Sequence, residues 1–169
     1  DPAKLQYAPN QWIVSELSNA KAEIEAAIAL YQEAIRIDPT FSEAYGQLAL
    51  AYNAQAYYGN IPREENLTNL KSNAEKALSI NENSYSAHAA LALYYHAISD
   101  LQNAEELFIK SLELNPNFVD VYNWLGNVYE DLGDRENQMK FYEQGYKIDP
   151  LNPLAIYNRS RVSADKEDF

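Results

Sequence analysis

The stretch that decides the fold is SAHAALALYYHAISDLQNAEELFIKSLELNP, residues 86–116. Its pattern returns 34 positions later in DVYNWLGNVYEDLGDRENQMKFYEQGYKIDP, residues 120–150. Both stretches open with a Leu–small–x–x–Tyr element, at Leu91–Tyr95 and at Leu125–Tyr129, and both close on a proline. A fixed period of this length indicates stacked helix pairs, each of which buries its apolar side against its neighbours.

Seven signature positions define each copy of the repeat, and each has a physical role. Leu91, Ala92 and Tyr95 share one face of a first helix, since they are spaced i, i+1 and i+4. A small residue at the second position lets the two helices of a pair approach closely, and Ala104 is expected to face it from the second helix. The two copies hold these positions with Leu91, Ala92, Tyr95, Ala104, Phe108, Ser111 and Pro116, and with Leu125, Gly126, Tyr129, Gln138, Tyr142, Gly145 and Pro150.

The same spacing continues toward both ends of the chain. Ala27, Tyr31, Ala34 and Pro39 mark the second helix of a first repeat, expected over 21–37. Its first helix is expected over 10–18, where the Leu–small–Tyr element is reduced to Val14, Ser15 and Ser18. We therefore predict a single domain of about nine helices over 1–169, with repeats at 8–41, 42–84, 85–118 and 119–152 and a capping helix at 153–165.

This signature resembles that of the tetratricopeptide repeat (TPR). The resemblance implies an all-α, right-handed superhelical solenoid of antiparallel helix pairs, and a protein that binds partners without acting on them chemically. Residues 51–81, AYNAQAYYGNIPREENLTNLKSNAEKALSIN, followed by SAHAALALYYH, also look like a subset of bacterial TPR regions. Those regions commonly lie in winged-helix regulators, nucleotide cyclases and protein kinases, which implies a scaffold or signalling role within a larger bacterial protein.

The second repeat is nine residues too long, because Leu48 and Leu91 lie 43 positions apart where the period requires 34. We expect its first helix to run to about Tyr58, a turn at Gly59-Asn60, and Pro62 at the start of the next helix. Two interpretations stay open. The insertion exposes aromatic side chains that anchor a partner, or it is a tolerated extension that covers the long second helix.

Composition limits the classes of partner. The chain has 25 acidic and 13 basic side chains, a formal charge of −12, which argues against binding to nucleic acid and to anionic membranes. The excess of acid is either a solvated shell or a face that selects a neutral to basic protein or peptide. No targeting or transmembrane segment is visible, so the sequence does not decide between cytoplasm and periplasm, nor does it indicate an oligomeric state.

No residue pattern indicates catalysis, a cofactor or a metal site. The chain has no cysteine, and its two histidines, His88 and His96, are eight residues apart, a spacing that does not suit joint coordination. Phosphate-binding loops, dinucleotide-binding glycine patterns and the nucleophile motif G-x-S-x-G are all missing from the sequence. We therefore expect a protein that is not an enzyme and that needs no cofactor.

The concave face of such a solenoid is lined by the first helix of each pair, and residues beside the Leu–small–Tyr face point into it. Asn amides there can bind a peptide backbone, and Trp, Leu and Tyr offer apolar contact. The alternatives are that these are ordinary surface residues, or that the insertion and groove close over a small ligand as in a sensor domain. The predicted contact residues are Trp12, Glu16, Glu43, Gln47, Leu50, Asn53, Tyr57, Tyr58, Leu93, His96, Asn123, Asn127, Glu130, Tyr157 and Arg161.

Overall fold

The computed structural model describes the backbone of residues 2–58 and 61–164 and the side chains of residues 18–58 and 61–161. Within these ranges the chain is entirely α-helical, and this confirms the fold class. The eight helices are α1 (Pro2–Ile37), α2 (Ser42–Tyr58), α3 (Arg63–Ile80), α4 (Tyr85–Ala97), α5 (Leu101–Leu114), α6 (Val119–Asp131), α7 (Arg135–Ile148) and α8 (Pro153–Ala164).

The helices form two layers. Each helix contacts the next one along the chain, and α2, α4, α6 and α8 also contact one another in sequence. In the described part of the chain no such contact joins α3 to α5 or α5 to α7. Because one layer is in contact along its length and the other is spread apart, the stack bends toward α2, α4, α6 and α8. We call the exposed side of these four helices the concave face.

The turns inside the third and fourth repeats have the same construction. Ser99, with φ 64°, ends the turn after α4, and Gly133, with φ 73°, occupies the same place 34 residues later. An aspartate follows each of them and caps the next helix: Asp100 accepts from the backbone N–H of Asn103 at 3.3 Å, and Asp134 from that of Asn137 at 3.1 Å. A left-handed residue followed by an N-cap side chain therefore reverses the chain.

The first repeat lacks this turn, and our prediction of two helices over 10–18 and 21–37 is wrong. The structure has one continuous helix, α1, across both. The residues equivalent to the later turns are Ala20-Lys21-Ala22-Glu23, all strong helix formers, with neither a residue suited to positive φ nor an N-cap side chain. Eight helices are therefore present among the described residues where about nine were expected.

The surplus in the second repeat lengthens both of its helices. The helices α2 and α3 have 17 and 18 residues, against 13 and 14 for α4 and α5. As predicted, α2 ends at Tyr58 and α3 follows Pro62, while the expected turn at Gly59-Asn60 lies outside the described residues. The guanidinium of Arg63 donates to the carbonyl of Ala97, so the extension supports the end of α4.

Small and large residues alternate in the core, as the signature requires. Ala49, Ala92 and Ala104 are fully buried, as are Phe108 and Leu125. Between α6 and α7, a Cβ atom added at Gly126 would lie 2.1 Å from a ring carbon of Tyr142, so the absence of a side chain is what admits the ring. Packing of this kind sets the distance between the helices and aligns the concave face.

Candidate partner-binding surface

Polar side chains connect successive helices along the concave face, beginning with α2 and α4. The amide of Gln47 donates to Glu43 on its own helix at 2.9 Å and to the hydroxyl of Tyr85 on α4 at 3.4 Å. The hydroxyl of Ser84, the N-cap of α4, donates to the other carboxylate oxygen of Glu43 at 3.4 Å. The predicted contact residues Glu43 and Gln47 therefore both join one repeat to the next.

A second connection joins α4 to α6. The Nε2 atom of His96 donates to a carboxylate oxygen of Asp131 over 2.7 Å. The imidazole is 24% exposed and the carboxylate 56% exposed, so a partner on this face could reach both groups. The predicted contact residue His96 thus lies on the concave face with an acidic group beside it.

The connection between α6 and α8 includes a buried amide pair. Asn158 donates to the side-chain oxygen of Asn123 at 3.1 Å, and Asn123 donates to the carbonyl of Val119 at 3.3 Å. Asn123 is 0% exposed and Asn158 is 3% exposed. The expectation that Asn123 faces a bound peptide is therefore wrong, because the capping helix α8 covers it. Leu93 is likewise 8% exposed and belongs to the hydrophobic core, so its assignment to the contact surface is also corrected.

A hydrogen-bonded cluster at the exposed edge of the same contact holds three further predicted residues. The hydroxyl of Tyr142 donates to the Asn127 amide oxygen at 2.7 Å. Arg161 donates to Glu130 at 2.6 Å and to the Tyr142 hydroxyl at 3.1 Å. Burial raises the pKa of Tyr142 above its ordinary value, which keeps its hydroxyl protonated. Asn127, Glu130 and Arg161 are therefore fixed in orientation before any partner arrives.

The balance of charge on this face is acidic. Arg161 forms its ion pair with Glu130, which leaves Glu43, Asp120 and Asp131 as further carboxylates on the helices of the concave face. Asp120 is half-buried, and burial raises the pKa of its carboxyl group. A partner that approaches α6 and α8 therefore meets more negative than positive charge.

Three of the remaining predicted residues are exposed aromatic side chains. Tyr57 is 83% exposed and Tyr58 is 43% exposed, with their rings edge to face at 5.1 Å, and Tyr157 on α8 is 60% exposed. Leu50 and Asn53 on α2 are half-buried. The side chains of Trp12 and Glu16 lie outside the described residues.

Sequence reasoning missed a groove at the N-terminal end, between α1 and α2, which we call the slot. Its volume is about 370 Å³, and most of its lining residues are apolar. The signal that could have revealed it is the run of helix formers at 20–23, which keeps α1 continuous. The slot is lined by Ala20, Glu23, Ile24, Ala27, Tyr31, Gln47, Leu50, Ala51 and Tyr58.

The described residues offer neither a group of metal ligands nor a membrane-spanning helix. Histidine and carboxylate side chains do not come together there in any group of three that could hold a metal ion. None of the described helices is both long enough and apolar enough to cross a membrane.

Comparison with known families identifies the repeats. The family model described as a tetratricopeptide repeat matches residues 85–118 and 119–150, and a second model, described as a TPR repeat, matches residues 19–56. The second match begins inside α1 and covers α2, so it pairs those two helices. Together the matches cover most of the described chain.

Among curated proteins, the chain is similar to anaphase-promoting complex subunit 3 of Schizosaccharomyces pombe, with 27% identity over 157 residues. The match covers 92% of this chain and 22% of that protein, so the chain spans about a fifth of its relative's length. One similar solved structure is TTC0263, a thermophilic TPR protein of Thermus thermophilus, with TM-score 0.64, 18% identity and coverage of 85% of this chain and 73% of that one.

Two structures of MamA are also similar to this chain. One has a TM-score of 0.55 and 19% identity, and covers 89% of this chain and 92% of that one. The other has a TM-score of 0.56 and 23% identity, with coverage of 88% and 76%. At these identities the likeness concerns the fold alone.

Proposed function

The chain belongs to the tetratricopeptide-repeat family, whose members generally mediate protein–protein interactions, and on that premise we propose that its concave face binds a protein or peptide partner of neutral to basic charge. The observation that supports this proposal is the set of hydrogen bonds between successive helices of the concave face, α2, α4, α6 and α8. Gln47 to Tyr85, His96 to Asp131 and Glu130 to Arg161 hold polar groups of four helices along one continuous side. Such groups can receive an extended partner with little loss of side-chain entropy.

The charge of the partner is inferred from the same side. The carboxylates of Glu43, Asp120, Glu130 and Asp131 outnumber the two arginines of α8, Arg159 and Arg161, both of which are ion-paired, within a chain of formal charge −12. Complementary charge raises the rate of association and penalises acidic competitors. A partner segment with lysine or arginine near Asp131 fits this arrangement better than an acidic one.

The aromatic side chains at the N-terminal end are the proposed anchors. Tyr57 is 83% exposed and therefore does not close over a small-molecule cavity, which favours a peptide over the ligand-sensor alternative. Tyrosine supplies large contact area at low entropic cost and is frequent among the residues that dominate binding energy. Tyr57 and Tyr58 thus give an apolar end to a surface that is otherwise polar.

The wider context follows from the family resemblance. The TPR fold is a scaffold type that carries no chemistry of its own, and we propose that this chain is not an enzyme. We further propose that it is the interaction module of a larger bacterial signalling protein, because the second repeat resembles the TPR regions of bacterial regulators and cyclases. The match to 22% of a longer relative is compatible with a module of this kind.

The test uses arrays of extended peptides of equal length in basic, neutral and acidic series, with binding measured at low and at physiological salt. We expect the basic and neutral series to bind, with affinity falling as salt rises. Asp131→Lys should weaken binding several-fold, while Glu106→Lys, the same reversal on the outer helix α5, should leave it unchanged. Preference for acidic peptides, or equal effects of both reversals, would contradict the proposal.

A second pair of variants tests the aromatic anchors. Tyr57→Ala should weaken peptide binding without lowering stability, because the side chain is 83% exposed. Leu151→Ala is the matched control, since Leu151 is 85% exposed beyond α7, away from the anchors. If Tyr57→Ala binds as well as the parent chain, the N-terminal end is not part of the surface.

A further inference from the structure

The second helices of the four repeats carry the same signature but bury it to different degrees. In the second and third repeats all three positions are buried, and in the fourth Tyr142 and Gly145 are buried while the longer Gln138 is half-buried. In the first repeat all three equivalents, Ala27, Tyr31 and Ala34, are only half-buried. The buried set comprises Leu70, Ala74, Ala77, Ala104, Phe108, Ser111, Tyr142 and Gly145. The first repeat therefore has a packing face that its own described residues do not complete.

The first repeat lacks a first helix packed on this face. In the later repeats the chain reverses, so that α4 packs on α5 and α6 packs on α7. In the first repeat the corresponding segment, residues 10–18, continues along α1. At 1.5 Å per residue, position 15 lies about 18 Å along the helix axis from position 27, so this segment cannot reach the slot of its own chain in this conformation.

The slot is an open depression whose lining is mainly apolar, a surface on which a helix can pack. Its apolar residues include Ile24, Ala27 and Tyr31 from α1, with Leu50 and Ala51 from α2. The small side chain of Ala27 occupies the position at which Ala104 lies in the third repeat, where a first helix packs closely. An occupant in the same register would place a small residue over Ala27 and apolar residues on either side.

We propose that a second copy of this chain supplies the helix: the N-terminal half of α1 of each copy lies in the slot of the other. The register supports this, because Val14, Ser15 and Ser18 hold the signature positions of a first helix, with small Ser15 assigned opposite Ala27. The exchange is reciprocal, so a two-fold dimer fills both slots and then closes. A helix continuous through an expected turn is the geometry in which such an element is exchanged.

This inference does not depend on the proposed partner. The slot shares Gln47, Leu50 and Tyr58 with the proposed contact surface, but its experiment measures mass and cross-linking with no peptide present. Failure of the dimer would therefore leave the peptide-binding test on α4 and α6 intact.

The experiment uses the absence of native cysteine. The variants Ser15→Cys and Ala27→Cys are purified separately, mixed, refolded together and oxidised, and the products are resolved without reductant. We expect a covalent heterodimer in high yield, and for the uncross-linked parent chain a mass of twice 19.2 kDa by light scattering. As matched control, Ala29→Cys replaces Ala27→Cys, because Ala29 is exposed on α1 outside the slot; this mixture should give little product.

A second variant keeps the test independent of disulfide geometry. Ala27→Leu fills part of the slot and should weaken dimerisation at least tenfold, whereas Ala29→Leu should leave it unchanged. A monomeric parent chain without cross-linked product would overturn the proposal. So would an intramolecular disulfide in the double variant Ser15→Cys/Ala27→Cys at monomer mass, because that result would place the helix in the slot of its own chain.

Discussion

The first and third repeats have equivalent second helices, and comparing them separates the effect of the signature residues from the effect of the turn residues. In the third repeat Ala104 and Phe108 are 0% exposed, while their equivalents Ala27 and Tyr31 are only half-buried. The difference arises about five residues upstream, at the turn. The third repeat has Ser99 in the left-handed region and an aspartate cap after it, and the first has helix formers. The signature residues give the second helix its packing face, and the turn residues determine whether the first helix folds back and packs on that face.

The largest expected effect on stability is at the aromatic signature position, which Phe108 holds in the third repeat and Tyr31 holds in the first. Phe108→Ala should lower the free energy of unfolding by about 3–5 kcal/mol, because a fully buried ring leaves a cavity. Tyr31→Ala should cost less than half as much, since its ring is already partly in solvent. Urea unfolding, at concentrations low enough for a monomer, measures both. Equal losses would mean that the first repeat is as closed as the third.

A smaller effect on stability is expected at the small-residue position, which Ala27 holds in the first repeat and Ala104 holds in the third. Ala104→Leu should cost about 1–3 kcal/mol, because added methyl groups overfill a packed contact. Ala27→Leu should change the stability of the monomer by about 0.5 kcal/mol or less, since the slot has room for the larger side chain. Thermal unfolding of the two variants in parallel gives the answer, and a larger loss for Ala27→Leu would show that the slot is filled in the monomer.

The turns themselves give the next comparison. Gly133→Ala should cost about 1–2 kcal/mol, because an L-residue is forced to positive φ where glycine is tolerated. The reverse change, Ser99→Gly, should stabilise the third repeat by about 1 kcal/mol or less, since Ser99 already has a φ of 64°. Chemical unfolding of both variants tests this, and destabilisation by Ser99→Gly would contradict the equivalence of the two turns.

The smallest effect concerns the pH dependence of the cap at Asp134. Hydrogen bonds from the backbone and side-chain amides of Asn137 lower the pKa of its carboxyl group. A lowered pKa in the folded state means that the cap stabilises the fold above the ordinary carboxyl pKa of about 4 and loses this effect as pH falls through the lowered value. Asp134→Asn should retain a cap and show a weaker loss of stability over that range. If the stability of Asp134→Asn falls with pH in the same way as that of the parent chain, the ionised carboxylate of Asp134 does not contribute to stability in this range.

Much of this fold could be predicted because the period is a local property. The spacing of Leu91 and Leu125 gives the helix pairs, and Gly133-Asp134 marks a turn by its own chemistry. The continuity of α1 could also have been recognised, since Ala22 and Glu23 favour a helix wherever they occur.

The contact surface could be predicted only in part, because burial depends on the neighbouring repeat. The position of Asn123 on α6 predicts that this side chain faces a bound peptide. What the period does not show is that Asn158 of α8 lies 3.1 Å away and covers it. The pair of Tyr142 with Asn127 is likewise set by distances between helices, which a repeat pattern leaves open.

The continuity of α1, on which the open slot depends, is tested most directly by measuring the distance between two positions of this helix. Spin labels on cysteines introduced by Gln11→Cys and Glu33→Cys, diluted into excess unlabelled chain so that only intramolecular pairs contribute, report whether the helix is continuous. At 1.5 Å per residue, a continuous helix predicts a separation of about 33 Å between the two labelled positions. A first repeat folded as a hairpin, with two helices packed 8–10 Å apart, would bring the labels to within about 20 Å and would contradict the open slot.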